Sequence, residues 1–167
     1  MFKRIIYTVV AATALAIAPV AFGADTSALN VTVGPEATFA SGFSATTLTA
    51  ANTKFGGFGG TTSFTYKIRT TLSGGTGSIA VQVTTFGAGG PAVADLAYTC
   101  TAPSSGTPCA SSTAASTSSA TSVVAFGEDA HSADTGDAGT VVWTLLDKPQ
   151  IQTGSYASTA TFTISAL

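Results

Sequence analysis

Apolar and polar residues alternate along most of this chain with a period of two, and glycine-rich or hydroxyl-rich turns separate the alternating stretches. Successive side chains of a strand point to opposite faces, so this pattern predicts half-buried β-strands. In residues 64–69, two aromatic residues and an isoleucine share one face, whereas a threonine, Lys67 and Arg69 share the other. No stretch after residue 23 has a convincing helical period, so the pattern predicts an all-β chain.

The same alternation predicts further strands at residues 29–33, 79–83, 92–100 and 156–164, with one or two weaker strands within residues 37–50. Apolar runs predict two more strands, at residues 122–126 and 140–146. Residues 55–60 and 73–77 are glycine-rich and are predicted as turns. Residues 110–122 contain only Ala, Ser and Thr, which fits a long loop or a segment that pairs at a sheet edge.

Residues 140–146 are apolar on both faces, which predicts a central strand or one that lies against a partner. Seven to nine short strands in one domain favour an antiparallel β-sandwich, immunoglobulin-like or jelly-roll. A small closed β-barrel is the alternative.

Residues 1–23 have the organisation of a secretory signal peptide. Lys3 and Arg4 precede an uncharged apolar run over residues 5–18, and small residues at Ala21 and Gly23 predict cleavage before Ala24. The run is shorter than the ~20 residues that a membrane span needs. We therefore expect a single domain over residues 24–167, without a membrane span, that is secreted or displayed at the cell surface, crossing the periplasm if the source is bacterial.

Charged residues make up only 8% of the chain, against a typical value of about 25%. After residue 23, four basic residues face eight acidic ones, a net charge of about −4. Such a chain cannot neutralise a run of phosphates, which argues against nucleic acid as a partner. A neutral, hydroxyl-rich surface is typical of exported fibre and coat proteins.

Cys100 and Cys109 are separated by a short segment that contains two prolines and a glycine. In an exported chain they predict a disulfide, which would contribute about 2.5–3 kcal/mol by closing the loop. Free or metal-bound thiols are the alternatives, but the only histidine lies far downstream.

Residues 128–137 form the one cluster of ionisable groups, and its candidate calcium ligands are Glu128, Asp129, Asp134 and Asp137. Calcium takes six to eight oxygen ligands, but the spacing does not match the Asp-x-Asp-x-Asp-Gly loop. We therefore expect a solvated acidic loop and no cofactor, with calcium as the alternative.

The sequence predicts that the protein is not an enzyme. His131 is the only histidine, the Gly-x-Ser-x-Gly motif is absent, and the carboxylates outside the acidic loop are scattered. Trp143 lies between Val141 and Leu145 in a predicted strand, where core packing is expected rather than sugar stacking.

Residues 154–164 alternate Tyr, Ala, Phe and Ile with Ser and Thr after a glycine. This segment resembles the last strand of bacterial β-sandwich pilus and spore-coat-like subunits. The resemblance implies a subunit that polymerises by lending a strand to its neighbour, and Leu29, Val31 and Val33 would be the donor. Alternatively, residues 29–33 pair within their own sheet.

The sequence thus predicts a structural or surface protein, a subunit of a fibre, pilus or coat that associates with itself or with other surface proteins. A secreted glycan- or protein-binding module is the alternative.

Overall fold

The computed structural model describes residues 27–51, 53–101 and 105–167, and within them the protein is all-β. The ten strands are β1 (Glu36–Phe39), β2 (Thr49–Ala50), β3 (Phe58–Arg69), β4 (Gly77–Val83), β5 (Leu96–Thr101), β6 (Thr107–Pro108), β7 (Thr113–Ala114), β8 (Thr121–Phe126), β9 (Asp137–Leu145) and β10 (Ala160–Ala166). The helical content of the described residues is one 3₁₀ turn, Val93–Asp95. No helix in this part of the chain is long and apolar enough to cross a membrane.

The strands form two antiparallel sheets, as the sequence predicts for a sandwich. The first sheet has the order β1-β3-β9-β5-β7, with β2 added beside β3. The second has the order β10-β4-β8-β6. One sheet curls strongly into a half-barrel, so the fold is intermediate between the predicted sandwich and its barrel alternative.

The core lies between the inner faces of the two sheets. From β3 it receives Phe64, Tyr66 and Ile68, as the alternation predicts, and all three are less than 5% exposed. Residues 33–167 form one compact unit around this core.

Strand β9 is central in its sheet, which confirms one of the two predictions for residues 140–146. Val141, Trp143 and Leu145 are buried, whereas Val142 and Leu146 are 40% and 54% exposed. Trp143 is a core residue, as predicted, and its Nε1 donates a hydrogen bond of 2.9 Å to Thr62 Oγ1.

Strand β3 corrects the prediction of a turn over residues 55–60. It begins at Phe58, and Gly59 and Gly60 pair with Thr144 and Trp143 of β9. A Cβ at Gly60 would lie 2.9 Å from both the Leu48 side chain and the Thr47 carbonyl oxygen. This glycine permits close approach of the preceding loop, a requirement that is not visible in a local pattern.

Residues 29–33, predicted as a strand, are in no strand of the structure, which begins its first strand at Glu36. The last strand also begins later than predicted, at Ala160. In the segment before it, Tyr156 packs against Gly90 and Gly154 instead of extending β10. Within residues 110–122, the pair Thr113–Ala114 joins the edge of β5, so part of this segment does pair.

Candidate assembly surface

The two side edges of the sandwich differ, and the edge formed by β5 to β8 is closed. The predicted disulfide is confirmed: Cys100 lies in β5 of the first sheet, and Cys109 directly follows β6 of the second. Their Cα atoms are 5.4 Å apart, and the Cys109 amide donates to the Val123 carbonyl at 2.9 Å. The disulfide therefore joins the two sheets covalently at this edge.

The opposite edge is formed by β1 and β10, which we call the seam. In the described residues β1 pairs with β3 alone, and β10 pairs with β4 alone. Some Cα atoms of β1 and β10 come within 8 Å of each other, yet the two strands share no ladder. The seam is thus an approach of two strands without backbone pairing.

The hydrogen bonds at the ends of β10 show which of its backbone groups face the seam. Leu167 and Thr76 exchange two backbone hydrogen bonds, and Thr84 donates to Thr159. In an antiparallel pair, bonded residues recur at every second position. The odd-numbered residues of β10 therefore bond β4, and the N–H and C=O groups of Ala160, Phe162, Ile164 and Ala166 point away from it.

Aromatic side chains fill the seam without sealing it. Phe43, from the loop after β1, stacks on Phe162 of β10 with 4.4 Å between ring centroids and an interplanar angle of 11°. Its ring also lies 4.8 Å from Phe39 and 5.6 Å from Phe64. Phe39, Phe43 and Phe162 remain only partly buried, in contrast to Phe64 at 3% exposure.

The candidate donor residues lie in a segment without regular structure before β1. Leu29, Val31 and Val33 are 95%, 86% and 61% exposed. At the end of this segment, Arg69 Nε donates to the Gly34 carbonyl at 2.8 Å, and its Nη2 lies 3.3 Å from a Glu36 carboxylate oxygen. Arg69 therefore contacts the backbone at Gly34, two residues before β1.

The acidic loop does not bring the four candidate calcium ligands together. Glu128 accepts the Gly74 amide at 2.9 Å, and Asp129 lies 2.7 Å from His131 Nε2. Asp137 accepts from Ser105 Oγ at 2.6 Å and from the Ala133 amide at 3.1 Å. Asp134 lines a surface cavity near His131. Among the described residues, no group of three or more acidic, histidine or cysteine side chains has the arrangement of a metal site.

Two surface cavities lie beside Arg69 and His131. Their volumes are about 320 Å³ and 280 Å³, and both are open to solvent. His131 is exposed, forms an isolated β-bridge with Arg69, and pairs with Asp129. Ser132 is the serine among the residues that line these cavities. Its hydroxyl is hydrogen-bonded to the Ile68 backbone, so it has a structural role.

Besides the Trp143–Thr62 bond, two tyrosine hydroxyls form polar contacts at the border of the core. Tyr98 donates to Thr121 Oγ1 at 2.7 Å and to the Ser122 carbonyl at 3.0 Å, thereby connecting the two sheets. Tyr66 lies 3.2 Å from Ser105 Oγ, which in turn bonds Asp137. Burial raises the pKa of both tyrosines above the ordinary value of 10.0.

In comparisons with known proteins, no family model, no curated protein and no solved structure matches this chain.

Proposed function

We propose that this protein is a secreted structural subunit of an extracellular fibre, pilus or coat, and that it assembles by β-strand addition with residues 29–33 as the donor strand. The observation that carries the proposal is the exposure of Leu29, Val31 and Val33, which alternate with polar residues and belong to no strand. An alternating apolar segment without a sheet is the form in which a donor strand is presented.

The chemistry of the segment supports this role. Residues 27–33 carry no charged side chain, so their insertion beside another strand requires no desolvation of an ion. In an extended conformation, the three apolar side chains share one face, and Asn30 and Thr32 share the other. One face can therefore enter a core while the other remains in water.

The remaining features of the chain agree with export and self-association. The sequence begins with a predicted signal peptide, the two cysteines form a disulfide, and few charges oppose contact between copies. Disulfides persist in oxidising compartments, and a sparsely charged surface offers little electrostatic repulsion between copies.

Electron microscopy of the purified mature chain tests the proposal. We expect filaments or other regular assemblies that resist SDS, and their loss when residues 25–34 are deleted. A chain that remains a monodisperse monomer at all concentrations would contradict the proposed function.

A matched pair of point variants separates the donor role from general solubility. Val31→Lys places a charge on the apolar face of the segment, whereas Thr32→Lys places the same charge on the polar face. Both residues are exposed, so neither variant should change the stability of the monomer. We expect Val31→Lys to abolish assembly and Thr32→Lys to retain it; equal effects would argue against a donor strand.

A further inference from the structure

We infer that the acceptor for this donor is the free edge of β10, and that its occupant is residues 29–33 of a second copy of the chain. The inference rests on the proposed function and names the surface at which the copies join.

The lengths of the edge strands favour β10. It is seven residues long, whereas β1 has four residues, and β2, β6 and β7 have two each. The edge that contains β6 and β7 is also closed by the disulfide. Among the terminal strands of the two sheets, β10 alone is therefore long enough to pair with a donor of five to seven residues over its full length.

Strand β10 also lacks the side chains that protect the edges of monomeric β proteins. Such edges carry lysine, proline or inward-pointing charges that prevent pairing with another chain. Residues 160–166 contain none of these, and their side chains are Ala, Thr, Phe, Thr, Ile, Ser and Ala. An uncharged edge of this length is suited to pair with another strand.

Three positions of β10 direct their backbone groups to the seam and also turn their side chains to the core. The even-numbered residues direct their N–H and C=O groups to the seam, and Phe162, Ile164 and Ala166 are the residues that pack partly against the core. Their cross-strand partners in β4 include Ile79 and Val81, which are 0% and 1% exposed. Pairing with β10 would therefore complete both the ladder and the burial of its inner face.

The donor matches this acceptor in number and spacing. Leu29, Val31 and Val33 recur at every second residue, as do Phe162, Ile164 and Ala166. Strand β1 lies closer to β10 than the roughly 9.5 Å that two strand spacings require, so entry of the donor widens the seam.

Hydrogen exchange of single amides in the native chain tests the inference without any mutation. In the monomer, the amides of Phe162 and Ile164 should exchange fast, and those of Thr161 and Thr163 should exchange slowly because they bond β4. After assembly, Phe162 and Ile164 should slow at least about tenfold, which corresponds to 1.4 kcal/mol of opening free energy. Thr161 and Thr163 serve as internal controls.

Disulfide trapping provides a second measurement. Assemblies grown from a mixture of a Thr32→Cys chain with a Thr161→Cys, Thr163→Cys or Ser165→Cys chain should yield crosslinked dimers on a non-reducing gel. Thr99→Cys on β5 is the control, because it is exposed on the outer face of the other sheet. It should yield no dimer with Thr32→Cys.

The outcomes separate this inference from the proposed function. Assemblies that form without protection of Phe162 and Ile164, or that crosslink equally to Thr99→Cys, overturn β10 as the acceptor and leave the fibre function intact. Absence of any assembly overturns the proposed function and the acceptor together.

Discussion

Replacement of Phe43 by alanine tests whether this loop residue stabilises the packing of aromatic side chains at the seam. The ring of Phe43 stacks on Phe162 and contacts Phe39 and Phe64. Removing a fully buried phenylalanine costs about 3–5 kcal/mol, and each aromatic pair contributes about 0.5–1.5 kcal/mol of such a value. Because Phe43 is only partly buried, we expect a loss of about 2 kcal/mol in the free energy of unfolding.

The assay is urea unfolding followed by the fluorescence of Trp143, the one tryptophan of the chain, which is buried beneath the first sheet. In thermal unfolding, the same loss of about 2 kcal/mol should lower the melting temperature by about 7 °C for a domain of this size. The m-value should stay constant, because the variant removes packing without changing the surface exposed on unfolding.

Phe55→Ala is the matched control, since Phe55 is 61% exposed and lies outside the seam cluster. It should change stability by less than about 0.5 kcal/mol. A cycle that combines Phe43→Ala with Phe162→Ala should give a coupling energy of about 0.5–1.5 kcal/mol. Equal losses in Phe43→Ala and Phe55→Ala, or zero coupling, would refute the seam as a packed aromatic cluster.

Four further outcomes are expected. The double variant Cys100→Ala/Cys109→Ala should lose about 2.5–3 kcal/mol of unfolding free energy relative to the wild-type protein in urea unfolding. In reductant the two proteins should be equally stable; a difference that persisted there would contradict the crosslink as its cause. Tyr98→Phe keeps the ring but removes the hydroxyl that donates to two partly buried acceptors of β8, so we expect a loss of about 0.5–1.5 kcal/mol by thermal unfolding; an unchanged protein would contradict those hydrogen bonds. The raised pKa of Tyr66 and Tyr98 means that the unfolded chain loses these protons first. Their contribution to stability is therefore present below pH 10 and is lost as pH rises above it, so the urea midpoint should fall between pH 9 and pH 11, less steeply in a Tyr98→Phe variant. Calcium and EDTA should give the same melting temperature, because the carboxylates of the acidic loop have separate partners; a rise with calcium would contradict this.

Strand identity could be predicted wherever one face is buried and the other is in water. The alternation locates β3 and β4 because the period of two is a direct consequence of the pleat, whereas β8 and β9 are located by their apolar runs. It fails at Gly59 and Gly60, whose place in β3 depends on a distant loop that packs against them. A glycine pair looks the same in a turn and at a close approach, so the local sequence does not distinguish the two.

The candidate donor could be predicted as an alternating segment, but its pairing could not. Residues 29–33 have the pattern of a sheet strand, and the structure leaves them outside both sheets. Alternation records which side chains can share a buried face, and it carries no information about which strand supplies that face. The free edge of β10 has no sequence signal for the same reason, since edge and interior strands can share one pattern.

The disulfide gives the two edges of the sandwich different mechanical properties. Where Cys100 and Cys109 join the sheets, separation of the sheets would require a covalent bond to break. At the seam, β1 and β10 are held by partly buried aromatic contacts and by no ladder, so separation there costs only side-chain packing. A strand that enters the sandwich therefore meets the least resistance at the seam, while the disulfide keeps the remainder of the core intact. Under the proposed function, we therefore expect an incoming strand to enter at the seam while the rest of the core stays folded, as assembly by strand addition requires.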